Sequence, residues 1–134
     1  SGSITQQMET LAAVGPDFGV LSGDDAFTFP LMALGGTGVI SVISNEIPGP
    51  MTRLARLCLD GKLDEARKLH FELLPLMQVN FIETNPIPVK AALAMMGMIE
   101  EVYRLPLVPL KPENRAKLEK VLAAQGLLHP QKVT

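Results

Sequence analysis

Two adjacent carboxylates, Asp24 and Asp25, follow the short apolar run 18–22. Catalytic side chains of parallel αβ folds lie at the carboxyl ends of strands, so this pair is the first candidate for acid–base chemistry. Neighbouring residues on a strand point to opposite faces, and we therefore do not expect the two carboxylates to form a dyad. The alternative is that Asp25 or Thr28 caps the following helix. We expect Asp25 to start that helix and Asp24 to remain a pocket candidate.

Two glycine-containing stretches lie close to the acids. Gly23 permits a ligand to approach the main chain closely, although one glycine is a weak signal by itself. Residues 35–38, GGTG, precede a predicted strand instead of opening a helix, so they match neither glycine-rich nucleotide motif. We interpret them as the end of the preceding helix.

The other reactive residue types lack partners at motif spacing. His70 and His129 have no suitably spaced serine, cysteine or acid, and neither is predicted to be catalytic. Cys58 is the single cysteine, so no internal disulfide forms and no zinc site is indicated; we expect a buried apolar residue. The methionines at 95, 96 and 98 are typical of core filling. We predict no metal site and no cofactor.

The composition is unusually apolar for a free-standing domain of 134 residues. Hydrophobic residues make up 47%, charged residues only 19%, and the mean hydropathy is +0.24. The formal net charge of −2 provides no basic field for nucleic acid or an anionic membrane, and no run is long enough to span a bilayer. Small domains need more polar cover than this, so we infer that apolar surface is covered by something outside these residues.

The first part of the chain alternates between helical and extended patterns. Apolar residues at helical spacing predict a helix over 3–13, and a second helix is predicted over 26–34. Residues 18–22 and 38–44 are apolar on both faces, which is typical of strands in a parallel sheet covered by helices. Two strands cannot make a stable isolated sheet, so we expect them to belong to a larger barrel.

Only helices are predicted beyond residue 45. Proline and glycine positions delimit them, and Pro75 is expected to kink the longest helix, in which Asp64 and Lys68 form an i,i+4 pair. The predicted helices are 48–60, 63–83, 86–98 and 113–125. The expected fold class is α/β: the C-terminal part of a (β/α)8 TIM barrel, supplying its last two strands, plus a C-terminal α-helical domain. Residues 1–61 would form the barrel part and 62–134 the helical domain.

Several strings occur together in one order and with consistent spacing: LSGDDAFTFPLMALGGTGVISVISN, DGKLDEARKLHFELLPL, ETNPIPVKAAL, RLPLVPL and GLL. Over residues 1 to about 128 the chain resembles the C-terminal half of dihydrodipicolinate synthases. The resemblance implies a lyase of the class I aldolase type in lysine and diaminopimelate biosynthesis, located in the cytoplasm. Its partners would be pyruvate and aspartate semialdehyde, in a homo-oligomer that is a dimer or a tetramer.

The resemblance also implies roles for individual residues. Gly23 and Ile40 match backbone positions that line the pyruvate pocket, and Asp24 and Asn45 match nearby strand ends. Ile4, Thr5 and Leu34 match positions in the dimer–dimer contact of tetrameric members.

The family's Schiff-base lysine is not expected among these residues. It occurs in a string K-E-A-[ST]-G, and the chain begins S-G, so the lysine is expected just upstream of Ser1. Lys90 belongs to a predicted helix of the extension and is no substitute. Our main hypothesis is therefore a portion of a synthase that lacks activity without the N-terminal half of the same barrel. The alternatives are a 2-keto-3-deoxy acid or N-acetylneuraminate aldolase, and an inactive half-barrel that self-associates.

Overall fold

A computed structural model describes residues 2–128. Two compact units make up the chain, Ser1–Leu74 and Pro75–Thr134. The strands are β1 (Leu21–Ser22) and β2 (Gly38–Val39), and short 3-10 helices cover Asp25–Phe27 and Ile43–Asn45. The α-helices are α1 (Ile4–Ala13), α2 (Thr28–Ala33), α3 (Pro48–Leu59), α4 (Leu63–Val79), α5 (Ile87–Met95) and α6 (Pro112–Ala124). The predicted helices therefore all exist, with ends that differ by a few residues.

The first unit contains a two-stranded parallel sheet whose strands are joined by α2. Leu21 pairs with Gly38 and Ser22 with Val39. The ladder continues for one more bond, because the Ile40 N–H donates to the Ser22 carbonyl at 2.7 Å. The alternation of strand, helix and parallel strand agrees with the prediction for this part of the chain.

The strands are much shorter than predicted. The runs 18–22 and 38–44 were expected to be extended throughout, yet each contributes two paired residues and Ile43–Asn45 is a 3-10 helix. Each strand has one hydrogen-bonded neighbour within residues 2–128, so little ladder holds the flanking residues extended. Their apolar side chains also stay uncovered: Leu21 is 51% exposed and Ile40 is 67% exposed. Burial on both faces is therefore not achieved by these residues alone.

Glycines end α2, as interpreted from the GGTG stretch. Gly35 has a φ of +108°, and the Gly36 N–H donates to the Leu31 carbonyl at 2.9 Å. A Cβ atom built on Gly36 would lie 2.7 Å from Leu31 Cγ, so a side chain has no room there. The close return of the chain onto α2 thus depends on glycine.

The core of the first unit lies between α2 and α3, which pack against each other. Leu31 and Leu54 are almost fully buried from these two helices, and Ile43 joins them from the 3-10 helix. Cys58 is buried, which confirms the prediction, and burial raises the pKa of its thiol.

Helix α4 ends earlier than predicted, at Val79 instead of residue 83. The buried Asn80 follows it and donates from Nδ2 to the Leu76 carbonyl at 3.1 Å, which satisfies a carbonyl of the last turn. The predicted pair of Asp64 with Lys68 is replaced: Asp64 accepts from Arg67, one position earlier, at 2.8 Å. Pro75 lies inside the helix, as expected.

The second unit is built around α5 and α6, which pack against each other. Ala91 and Ala92 are fully buried, consistent with a helix of small residues that permits close packing. Glu101, in the connector between the two helices, accepts two hydrogen bonds of 2.8 Å from Arg115 Nη1 and one of 3.0 Å from the Tyr103 hydroxyl. Glu101 therefore ties the connector to α6.

The two compact units divide between Leu74 and Pro75, inside α4. The predicted boundary between residues 61 and 62 separates the barrel part from the helical domain. That boundary stays a prediction. Within residues 2–128, no helix is both long enough and apolar enough to cross a membrane.

Candidate functional site at the carboxyl ends of the strands

The parallel pairing places Gly23 and Ile40 beside each other. They are the residues that follow Ser22 and Val39, which pair in the sheet, and the Ile40 N–H bonds to Ser22. The carboxyl ends of both strands, and the loops that follow them, therefore lie at the same edge of the sheet. Two of the four predicted substrate-binding residues are thus neighbours.

Asp24 shapes the loop after β1. Its Oδ1 accepts from the Ala26 N–H at 2.9 Å, and Asp24 is the N-cap of the 3-10 helix Asp25–Phe27. The Ser22 hydroxyl donates to the Asp24 carbonyl at 2.6 Å. The prediction that Asp25 or Thr28 caps the helix is wrong, because the extended backbone continues through Asp24 and moves the cap one residue earlier.

The side chain of Asp25 bonds to the loop after β2 and not to its own 3-10 helix. It is 0% exposed, and its Oδ2 accepts from the backbone N–H groups of Val42 and Ile43 at 2.9 and 3.0 Å. Its Oδ1 is buried and accepts no hydrogen bond within residues 2–128. The two adjacent acids therefore serve different loops, in agreement with the expectation that they do not form a dyad.

The loop after β2 is closed by its own side chains. Ser41 Oγ accepts from the Ser44 N–H at 2.9 Å, and the Ser44 hydroxyl donates back to the Ser41 carbonyl. Asn45 Nδ2 donates to the Val42 carbonyl at 2.9 Å. The amide nitrogen of Asn45 thus closes its own turn.

A cavity of about 420 Å³ lies beside β1. Gly23 and Asp24 line it on one side, and polar side chains of α1, such as Gln6 and Thr10, line it on another. Neither Ile40 nor Asn45 belongs to this lining. The structure therefore pairs Gly23 with Asp24 in the cavity and Gly23 with Ile40 at the strand ends, but it does not bring all four residues into one pocket.

The predicted interface residues lie on α1 and at the end of α2. Ile4, Thr5 and Leu34 are exposed, and Leu34 also lines a small depression formed mainly by α1. Exposed apolar side chains at two of the three positions suit a contact surface. Their role in an interface stays a prediction.

The residues judged unsuited to chemistry occupy structural positions. His70 is 5% exposed, with its ring centroid 5.6 Å from that of Phe29, and burial lowers its pKa. Lys90 lies on α5 with Nζ 5.3 Å from the ring centroid of Tyr103. Met98 is exposed, contrary to the expectation of core filling, because it follows the end of α5. His129 lies outside the described residues.

No cluster of three histidine, cysteine or acidic side chains suited to a metal ion occurs within residues 2–128. The polar groups that these loops present are backbone N–H and carbonyl groups, hydroxyls and the Asp24 carboxylate. The N–H and hydroxyl groups can donate to the oxygen atoms of a small acid, but the described part of these loops contains no nucleophile with an adjacent base.

Sequence reasoning missed the cross-loop role of Asp25. Its partners are 17 and 18 residues away in the chain, so no local pattern records the contact. The one indication in the sequence was the presence of two adjacent acids. Because one carboxylate is enough to cap the helix, the second was available for another partner.

Sequence comparison gives a match over nearly the whole chain. Residues 1–125 match the model of the dihydrodipicolinate synthetase family. A 4-hydroxy-tetrahydrodipicolinate synthase of Koribacter versatilis is 56% identical over 128 residues, which are 96% of this chain and 43% of that protein. The chain thus spans less than half the length of the curated relatives that it matches.

Solved structures agree with the sequence match. The dihydrodipicolinate synthase of Aquifex aeolicus superposes with a TM-score of 0.92 at 46% identity, covering 97% of this chain and 45% of that one. The chloride-inhibited enzyme of Acinetobacter baumannii, complexed with pyruvate, gives 0.91 at 34% identity, covering 96% and 44%. The expected fold class, the C-terminal part of a (β/α)8 barrel with a helical extension, is confirmed. The chain belongs to the dihydrodipicolinate synthetase family.

Proposed function

We propose that these residues form the C-terminal portion of a lyase that condenses pyruvate, held as a lysine Schiff base and enamine, with aspartate semialdehyde. The product would be 4-hydroxy-tetrahydrodipicolinate. The observation that carries the proposal is the likeness over 96% of the chain to a synthase named for that product. The pyruvate complex of a similar structure supports the choice of the first substrate.

In this proposal the strand ends bind pyruvate. Gly23 and Ile40 would present backbone atoms to it, with Asp24 and Asn45 at the border of the pocket. Gly23 supports this role, because a Cβ built there meets no atom within 4 Å and its φ is not positive. The described fold would therefore accept a side chain at this position. A ligand that approaches the backbone closely would require glycine there.

The Schiff-base lysine would come from barrel segments that are not among these 134 residues. The coverage of 43% of the relative's length supports a barrel completed by other strands. The chain by itself would then be inactive. We further propose a cytoplasmic homo-oligomer, with Ile4, Thr5 and Leu34 in a contact between subunits, and a barrel part that ends near residue 61.

A chimera tests the proposal. Residues 1–128 replace the matched segment of the Koribacter versatilis synthase, and the parent synthase serves as the matched control. We expect the chimera to consume pyruvate and aspartate semialdehyde at a rate comparable to that of the parent. A folded chimera that instead acts on 2-keto-3-deoxy sugar acids or on N-acetylneuraminate would show that the family member is a different aldolase.

A second candidate is the inactive half-barrel that associates with itself. The exposure of Leu21 and Ile40 at the strands favours it, because such apolar side chains need cover. Sedimentation of the 134-residue chain distinguishes the two: a discrete dimer that persists when an N-terminal half-barrel is added favours self-association. Exchange into a complex with the added half favours the synthase.

A further inference from the structure

Asp25 is a fully buried carboxylate that joins the two loops of the candidate site. Its Oδ2 lies 2.9 Å from the Val42 nitrogen and 3.0 Å from the Ile43 nitrogen. We propose that Asp25 is a positioning residue: it fixes the loop after β2, and with it Asn45, relative to Gly23. This inference rests on the proposed function, because it concerns the same site.

The Asp25 carboxyl group supplies an acceptor that the start of the second 3-10 helix lacks. Val42 is the N-cap of the 3-10 helix Ile43–Asn45, so the two N–H groups belong to the start of that helix. The Val42 side chain has no oxygen to accept from them, and a charged acceptor from the other loop takes that place. Hydrogen bonds to an ionised group are shorter and stronger than those between neutral groups.

The side-chain bonds of the serines at the carboxyl ends of the strands act within single loops. Ser22 with Asp24 shapes the first loop, and Ser41 with Ser44 shapes the second. Such local bonds determine the form of each loop but not the distance between them. The Ile40 N–H bond to the Ser22 carbonyl joins the strand ends themselves. The bonds of Asp25 span 17 and 18 residues and join the two loops beyond those ends.

Substitutions at Asp25 separate charge from hydrogen bonding. In Asp25→Asn the amide oxygen can take the place of Oδ2 and still accept both N–H groups, without the charge. In Asp25→Ala the acceptor is lost and both N–H groups must find water. The isosteric Asn variant also keeps the test informative if the Ala variant fails to fold.

Amide hydrogen exchange of the 134-residue chain tests the contact directly. Asp25→Ala should speed exchange at Val42 and Ile43 by about tenfold or more, with a smaller increase for Asp25→Asn. The matched control is Asp24→Ala, which should speed exchange at Ala26 and leave Val42 and Ile43 unchanged. Unchanged exchange at Val42 and Ile43 in both Asp25 variants would overturn the inference.

Kinetics of the chimera test the consequence. A displaced loop should lower kcat/KM for pyruvate by about 100-fold in Asp25→Ala and by about tenfold in Asp25→Asn, normalised to folded protein. Glu83→Gln is the control. Glu83 accepts from the Lys111 N–H in the second unit, so replacing this acid should leave kcat and KM unchanged. Asp25 variants with wild-type kcat and KM would contradict a positioning role. A chimera that folds but is inactive with Asp25 intact would overturn the proposed function instead, while the exchange data still report on the contact.

Discussion

At the scale of single residues, Gly36 and Gly23 differ in the space around them. A side chain at Gly36 would collide with Leu31, whose Cγ and carbonyl oxygen lie 2.7 and 2.9 Å from the position of a Cβ. A side chain at Gly23 would enter open space. The first glycine therefore serves the fold, and the second is available to serve a ligand.

Alanine substitutions should separate these two roles. Gly36→Ala should lower the free energy of unfolding by about 2 kcal/mol, because the backbone carbonyl of Leu31 cannot move aside cheaply. Gly23→Ala should change it by less than about 0.5 kcal/mol, yet lower kcat/KM of the chimera by about tenfold or more. Urea unfolding and steady-state kinetics measure the two effects. Equal activity of Gly23→Ala and the unsubstituted chimera would refute a backbone contact at residue 23.

His70 should make stability depend on pH. Burial lowers its pKa, so the folded state favours the neutral ring, and protonation favours unfolding. Its contribution is fully present above the ordinary histidine pKa of about 6.5 and is lost as pH falls below that value. His70→Gln should therefore flatten the decline in urea midpoint between about pH 7 and about pH 5. Lys68→Gln, an exposed change on the same helix, should leave the slope as it is; a slope unchanged by His70→Gln would contradict the burial argument.

Candidate site residues could be proposed from the sequence, but their hydrogen-bond partners could not. Asp24 and Asp25 are adjacent and chemically identical, and the choice of which one caps the helix depends on where the extended backbone ends. The contact from Asp25 to Val42 and Ile43 exists only once β1 and β2 lie side by side.

At the scale of elements, helices were predicted more accurately than strands. A helix is delimited by local signals, such as the Pro48-Gly49-Pro50 start of α3 and the glycines after α2. A strand is defined by its neighbours, and β1 and β2 have only each other within residues 2–128. Ile40, Val42 and Ile43 are apolar and β-branched, yet Ile43–Asn45 form a 3-10 helix where the ladder stops.

Tyr103 lies in the connector between α5 and α6, and titration of its hydroxyl tests how the connector packs. Burial, together with the hydrogen bond to Glu101 and its charge, raises the pKa of Tyr103 to about 12. The neutral phenol is favoured in the folded state, so this stabilisation is present below the ordinary value of about 10 and is lost as pH rises further. Tyr103 is the single tyrosine and the chain has no tryptophan, so phenolate absorbance reports it alone.

At about pH 11 Tyr103 should therefore stay largely neutral in the folded chain and ionise in urea. Glu101→Gln should lower the pKa, since it removes the negative charge beside the hydroxyl. A folded chain whose phenol titrates near the ordinary value would show that the Tyr103 hydroxyl is not buried beside Glu101 as described.

At the scale of the whole molecule, the apolar composition and the exposed strands have one explanation. The hydrophobic content of 47% predicted that something outside these residues covers apolar surface, and Leu21 and Ile40 are among the exposed side chains. The chain spans less than half of its relatives, and in the proposed synthase further strands of the same barrel would cover these two side chains. Composition indicated that cover was needed, but it could not indicate its shape.

The most direct test of the central claim is covalent trapping of pyruvate. The chimera is incubated with pyruvate and borohydride, digested, and analysed by mass spectrometry, with the 134-residue chain treated in parallel. We predict a reduced pyruvate adduct on a lysine of the N-terminal portion that comes from the Koribacter versatilis synthase, and none on the residues of this chain, including Lys90. A folded chimera without an adduct, or an adduct on the isolated chain, would contradict the account.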